Sequence, residues 1–203
     1  MQRTYVMLVL LLCSLLSHNR GFAQSLECED STNVVIDTKN MTAEEVYSLG
    51  AMFHDGSNGM PRNFLLAAKF YRLAAERKHG LACTGLAVLY ERGDGVLLDY
   101  DKAFYWAEKA AELKEVYGTT LLGHYYAQGK SVQQNYKKAY ELYLKAAELG
   151  SGSAMLLLGT FWENGVGVPY QDTEVAKYWY RKAVEKGEKS AVEALENLEN
   201  LKE

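Results

Sequence analysis

Three acids, Asp94, Asp99 and Asp101, fall within eight residues of one another in the run YERGDGVLLDYDK, from Tyr90 to Lys102, beside Gly93 and Gly95. Three chemistries fit such a run. Glycines flanking a polar residue build phosphate cradles, acids at alternating positions bind calcium, and a close carboxylate pair does general acid–base work. A phosphate loop, however, sets its glycines directly before a helix and ends on Lys and a hydroxyl residue. Gly93-Asp94-Gly95 instead follows a helical pattern, lacks that ending, and recurs as Gly165-Val166-Gly167 without the acid. A calcium loop closes on a bidentate Glu after several oxygen donors. The related stretches keep almost none of these acids, and His54-Asp55-Gly56-Ser57-Asn58-Gly59 reads as a turn. Asp99 and Asp101 stand where a helix begins, a place where acids are ordinary capping groups.

Other reactive sets are equally sparse. His54, His79 and His124 form no His-x-x-x-His pair and have no cysteine pair near them, so no zinc set is read. Neither Ser-x-x-Lys nor Gly-x-Ser-x-Gly occurs. The expectation is a protein that is not an enzyme, with no catalytic residue, no metal and no cofactor.

The element that explains the opening run is a repeat. The motif Leu-Ala/Gly-x-x-aromatic-x-x-Gly occurs at Leu49-Gly50/Phe53/Gly56, Leu86-Ala87/Tyr90/Gly93, Leu122-Gly123/Tyr126/Gly129 and Leu158-Gly159/Trp162/Gly165. Each copy is followed by a second block, anchored at Ala67/Phe70/Ala74, Ala103/Trp106/Ala110, Ala139/Leu142/Ala146 and Ala176/Trp179/Ala183, with a period of 36 residues. A fixed period of this length is the mark of a stacked-repeat architecture. Cys83, Leu86, Ala87 and Tyr90 lie at i, i+3, i+4 and i+7, and Ala103, Trp106 and Ala110 repeat that spacing, so both blocks are helices. A two-helix unit cannot bury its apolar face alone, and stacking completes the core. The aromatic columns Phe53, Tyr90, Tyr126, Trp162 and Phe70, Trp106, Trp179 are therefore read as core, and Tyr71, Tyr143 and Tyr180 as packing between neighbours. Thr42-Ala43-Glu44-Glu45 is a capping box. Ser190 to Leu201 places Ala191, Ala194, Leu195, Leu198 and Leu201 on one face, as a terminal capping helix requires.

At these residues the chain resembles the Sel-one-like repeats, relatives of the tetratricopeptide repeats, most closely over Ala82 to Ala111 and Ala154 to Val184. Ser131 replaces a glycine in the third copy, and Gly59-Met60-Pro61 lies in a longer first loop. The resemblance implies an all-α, right-handed α/α superhelix of four helical hairpins plus a C-terminal capping helix. The expected division is a signal peptide at 1–23, a leader at 24–41, repeats at 42–80, 81–115, 116–150 and 151–187, and a capping helix at 188–203. It also implies a protein-binding scaffold, often exported by bacteria, with some relatives acting as immunity proteins against secreted effectors. Cysteine-rich relatives are linked to β-lactam binding through a cysteine pair in each repeat. This chain lacks such pairs, which leaves a β-lactam hydrolase-like enzyme as a third reading only.

The start of the chain supports export. Arg3 precedes the apolar run Tyr5 to Leu16, and Gly21-Phe22-Ala23 offers a small-residue cleavage site after Ala23. A periplasmic or secreted mature protein is expected, without membrane insertion. The whole chain has 22 basic and 26 acidic residues; loss of a segment holding Arg3 and Arg20 leaves 20 against 26. No basic face for nucleic acid is indicated. The mature chain keeps Cys28 and Cys83, which either form one disulfide or leave Cys83 a small buried helix residue and Cys28 a free thiol.

By resemblance to the tetratricopeptide superhelix, the first helix of each repeat lines a concave face. The positions beside the buried stripe are Glu44, Tyr47, His54 and Asp55; Thr84, Val88, Glu91 and Arg92; Tyr117, Thr120, His124 and Gln128; and Leu156, Thr160, Glu163 and Asn164. They vary from copy to copy, as positions free to meet a partner would. Tyr and Arg are the usual interface anchors, which singles out Tyr47, Arg92 and Tyr117. The expected partner is another protein, either a toxic effector or an envelope protein.

Overall fold

A computed structural model describes residues 26–29, 33–57 and 61–200, with side chains from Ile36 onward. The expected signal segment 1–23, the Cys28 side chain, the loop residues Asn58, Gly59 and Met60, and Leu201 lie outside the described residues.

Four helical hairpins follow one another. The first helices are α1 (Ala43–Asp55), α3 (Gly80–Arg92), α5 (Val116–Gln128) and α7 (Gly152–Asn164). Their partners are α2 (Phe64–Glu76), α4 (Tyr100–Glu112), α6 (Tyr136–Glu148) and α8 (Thr173–Glu185), and α9 (Ser190–Asn200) closes the array. The result is an all-α superhelix. The leader, which shows no periodicity in sequence, adds an antiparallel pair of short strands, β1 (Leu26–Glu29) and β2 (Asn33–Ile36). Arg77, at the end of α2, ties the leader to the first repeat by donating to the carbonyls of Met41 (2.5 Å) and Thr38 (2.9 Å).

Local chemistry sets the helix ends. Asn63, Asp99, Asn135 and Asp172 cap the second helices, each accepting from backbone N–H groups in the first turn. Thr42 forms the full capping box with Glu45. Each first helix stops at a glycine in the left-handed region: Gly56, Gly93, Gly129 and Gly165. Gly93 and Gly95 of the opening run are thus turn residues. A side chain at Gly95 (φ +66°) would strike the backbone of Phe64 and Leu65, so this loop presses on the start of α2 in the preceding repeat. Ser131 holds the same left-handed conformation (φ 60°) without being glycine.

Packing within a repeat depends on a matched pair of columns. Gly50, Gly123 and Gly159 of the first helices face Tyr71, Tyr143 and Tyr180 of the second, and a methyl group at Gly123 would sit 2.5 Å from Tyr143 Cε1. Repeat 2 carries Ala87 opposite Ala107 at the same positions, both fully buried. Ring plus bare backbone thus occupies these positions in repeats 1, 3 and 4, and two methyl groups occupy them in repeat 2. These tyrosines are more deeply buried than most of the expected aromatic core: Tyr143 is 0% and Tyr180 1% exposed. Tyr126, Trp162, Trp106 and Trp179 are only partly buried against it.

Between repeats, second-helix residues reach the next first helix. Phe104 meets Tyr125 and Tyr126, and Tyr140 meets Phe161 and Trp162. First helices α3 and α5 also touch directly. The capping helix behaves as half of a fifth repeat. Ala191 and Leu198 are buried where Ala154 and Phe161 are in repeat 4, whereas Glu196 and Glu199 stand where Gly159 and Trp162 would receive a partner helix. Leaving that second face polar ends the stack.

Candidate protein-binding face

The variable positions of the first helices divide into residues that tie repeats together and residues that face outward. Consider the column Tyr47, Thr84, Thr120. Tyr47 stacks on His79 at 4.4 Å and on Tyr71 at 5.6 Å. His79 is the N-cap of α3: its Nδ1 accepts from Ala82 N–H (3.2 Å), so Nε2 carries the hydrogen and donates to Glu44 (2.8 Å). Thr84 donates its hydroxyl to Glu115 Oε2, and Glu115 is the N-cap of α5, accepting from the backbone of Tyr117 (3.0 Å) and Gly118 (2.6 Å). Thr120 pairs with Ser151 (3.3 Å), the buried N-cap of α7. In each case a side chain from one first helix meets the cap of the next. The residue types differ because each pair is complementary in its own way.

Five further positions are engaged farther along these helices. Glu91 pairs with Lys130 of the next repeat at 3.2 Å. Beneath them the Tyr125 hydroxyl is sealed from solvent and lies toward Glu91 without reaching hydrogen-bond geometry. Burial first, and the Glu91 carboxylate second, push the Tyr125 phenol upward from its ordinary pKa. His124 Nδ1 lies 3.3 Å from the Tyr143 hydroxyl, and burial holds its imidazole below the usual histidine pKa, favouring the neutral ring. The Tyr180 hydroxyl donates to Glu163 and lies 3.3 Å from the Thr160 hydroxyl. His54 sits 2.7 Å from Asp55 and edge-on to Phe64. Val88 and Leu156 are half-buried.

What remains outward-facing is a smaller set. Tyr117 is 66% exposed, and Arg92 and Gln128 are exposed at the last turns of α3 and α5. Asp55 and Asn164 hold the equivalent last-turn positions in repeats 1 and 4 and are also exposed. Of the anchors singled out from sequence, Arg92 and Tyr117 are thus available, while Tyr47 is committed to a stack. Sequence reasoning missed the capping residues His79, Glu115 and Ser151. Their signal was the polar residue standing immediately before each first helix.

The chemistry considered for the opening run finds ordinary structural roles. Asp99 caps α4 and is held below the usual carboxylate range by hydrogen bonds from the Lys102 side chain and backbone. Asp101 lies in the first turn of that helix. Among the described residues no three His, Cys, Asp or Glu side chains gather as a metal site, and no helix is long and apolar enough to cross a membrane. Cys83 is a free thiol, 1% exposed, with its pKa pushed up to about 11 by burial.

A stack of helical hairpins of this kind defines an α-solenoid repeat protein. The Sel1 repeat model matches residues 46–79, 80–115, 117–151 and 152–188, and the chain belongs to this family. Among solved structures it is similar to a Sel1 repeat protein from Oxalobacter formigenes, with 32% identity and a TM-score of 0.71 over 75% of this chain and 60% of that one. It is also similar to c5321, described as a protective antigen of uropathogenic Escherichia coli strains with an SLR fold. There the identity is 29% and the TM-score 0.71, over 77% of this chain and 33% of that one. A third likeness is to Helicobacter pylori cysteine rich protein B, at 29% identity and a TM-score of 0.52, covering 64% of this chain and 92% of the other. The chain therefore spans 60% and 33% of the first two relatives. Comparison with curated proteins returns no match. The fold is that of a protein-interaction module.

Proposed function

We propose that this protein is exported and binds a protein partner on the inner face formed by its first helices, neutralising a secretion-system effector as an immunity-type protein. The observation that carries the binding reading is Tyr117, a large ring left 66% exposed on α5, with Arg92 exposed on the neighbouring first helix α3. Among the described residues neither side chain ties repeats together, and both are residue types that anchor interfaces. Export rests on the n-region, apolar run and cleavage pattern of residues 1–23. A second reading, an adaptor for envelope or host-contact proteins, draws on the likeness to a protein described as a protective antigen.

Growth rescue tests the proposal. A toxin encoded beside this gene is expressed in the periplasm of a sensitive host, with the full chain or a form lacking residues 1–23. Rescue by the exported form alone, lost on Arg92→Ala with Tyr117→Ala, supports the immunity role. Rescue by the untargeted form, or by neither, removes it. Partner capture from envelope extract that the same double change abolishes would then favour the adaptor.

A further inference from the structure

The junction of repeats 1 and 2 departs from the repeat pattern on the outer layer, at positions that converge in space. Where second helices α4 and α6 place Phe104 and Tyr140 against the next repeat, α8 buries Lys177 and α2 has only Ala68. The volume is left open as a groove of about 220 Å³, lined by Leu65, Ala68, Lys69, Arg72, Leu73 and Val96. That is below the range of small-molecule pockets and matches one large side chain.

Its border departs from the pattern as well. Leu65 is 67% exposed where the other repeats carry Asp101, Lys137 and Glu174. Leu97, 89% exposed, and Leu98, 56% exposed, continue the same loop from Val96, at positions where repeat 3 has Gln133 and Gln134. Val96 alone of the three is the loop residue that packs on the core; Leu98 lies against the Gly93 turn, and Leu97 is left the most exposed of the three. The one charge sign at the groove is positive, from Lys69 and Arg72, and Arg72 is steadied by donating to the Tyr90 hydroxyl at 2.7 Å.

We infer that this groove is a second docking site, independent of the inner face, and that it receives an aromatic side chain flanked by acidic residues from a peptide segment of a partner protein. The ring would take the place that Phe104 and Tyr140 fill in later repeats. The exposed leucines would cover its edges, and Lys69 and Arg72 would meet the flanking carboxylates. Of the two repeats without a ring at this position, repeat 4 buries the long Lys177 side chain there, whereas repeat 1 has only the Ala68 methyl group.

Isotope-labelled protein and short blocked peptides test this. The probe is a peptide with a central Phe between Glu and Asp residues, compared with an Ala-centred version and a Lys-flanked version. The expected result is perturbation of Leu65, Ala68, Leu73, Val96 and Leu97 resonances by the acidic Phe peptide, with binding about tenfold weaker or worse for both controls. Ala68→Phe, which fills the groove with the ring used in repeat 2, should abolish binding while keeping the fold. Leu97→Asp, a surface change that leaves packing untouched, should weaken it about tenfold through loss of cover and repulsion of the acids. Equal binding of the Lys-flanked peptide, no groove perturbation at millimolar peptide, or unchanged binding by Leu97→Asp would overturn the inference. So would a concentration-dependent dimer that Leu97→Asp dissolves, since the occupant would then be a second copy of this chain.

Discussion

The exchange of a Gly/Tyr pair for an Ala/Ala pair between repeats makes a quantitative prediction at Gly123 and Tyr143. A methyl group at Gly123 would lie 2.5 Å from Tyr143 Cε1 and 2.8 Å from Cδ1, roughly an ångström inside normal contact. Overpacking of this kind costs about 1–3 kcal/mol, against about 1 kcal/mol gained from replacing a helical glycine by alanine. Gly123→Ala should therefore destabilise by up to about 2 kcal/mol. Tyr143→Ala deletes a fully buried ring and should cost about 3–5 kcal/mol. The double variant reproduces the pair present in repeat 2 as Ala87 and Ala107. There the new methyl group meets no ring, so the Gly123→Ala change should turn from harmful to helpful. The coupling between the two sites should equal the relieved strain, about 1–3 kcal/mol. Urea unfolding of the four proteins, followed by circular dichroism and checked for equal slopes, measures it. Additive effects within about 0.5 kcal/mol would refute the view that ring and glycine are matched parts of one packing unit.

Three other outcomes follow from the same structure. Tyr125→Phe removes a sealed hydroxyl that lacks a hydrogen-bond partner among the described residues, and repeat 4 already carries Phe161 at this position; thermal unfolding should show no loss, or a gain of up to about 1–2 kcal/mol. Glu115→Ala takes the cap from α5 and the acceptor from Thr84 together, which should cost about 1–3 kcal/mol, while adding Thr84→Ala should cost little more if the two act as one tie. Cys83, with its pKa raised to about 11, should resist iodoacetamide at pH 8 in the folded protein and react after unfolding without reductant. Because the folded pKa lies above the unfolded one, the stability this thiol provides is complete below about pH 8.5 and is lost as pH rises through about 11. Relative to Cys83→Val, the wild type should weaken over that window; protection of Cys83 from alkylation after unfolding would instead restore the disulfide reading.

Much of this molecule was legible because four copies of one unit act as their own alignment. Leu49, Leu86, Leu122 and Leu158 recur with a glycine seven residues on, and the helix ends follow from that glycine and from the polar residue before each second helix. The strands β1 and β2 were not legible, because four residues are too few to establish a period of two. Less visible still was the meaning of variation. Tyr47, Thr84 and Thr120 change from repeat to repeat, which reads as freedom when each helix is considered alone. Each meets the cap of the following repeat about 31 residues away, so complementarity between distant positions, not freedom, explains the change. Glu91, the odd residue of the opening run, is explained in the same way by Lys130. Among the described residues its neighbour Arg92 has no such tie, and for that reason it stays in the candidate face.

The most direct test of the central claim is the affinity of wild-type protein and of the Arg92→Ala, Tyr117→Ala double variant for the partner recovered from envelope extract, with melting temperatures measured alongside. Both side chains project from the folded array, so the double variant should melt within a degree or two of wild type. Loss of two anchor residues should weaken binding by about a hundredfold or more. Equal affinity in the two proteins would contradict the account and move the binding surface away from the first helices.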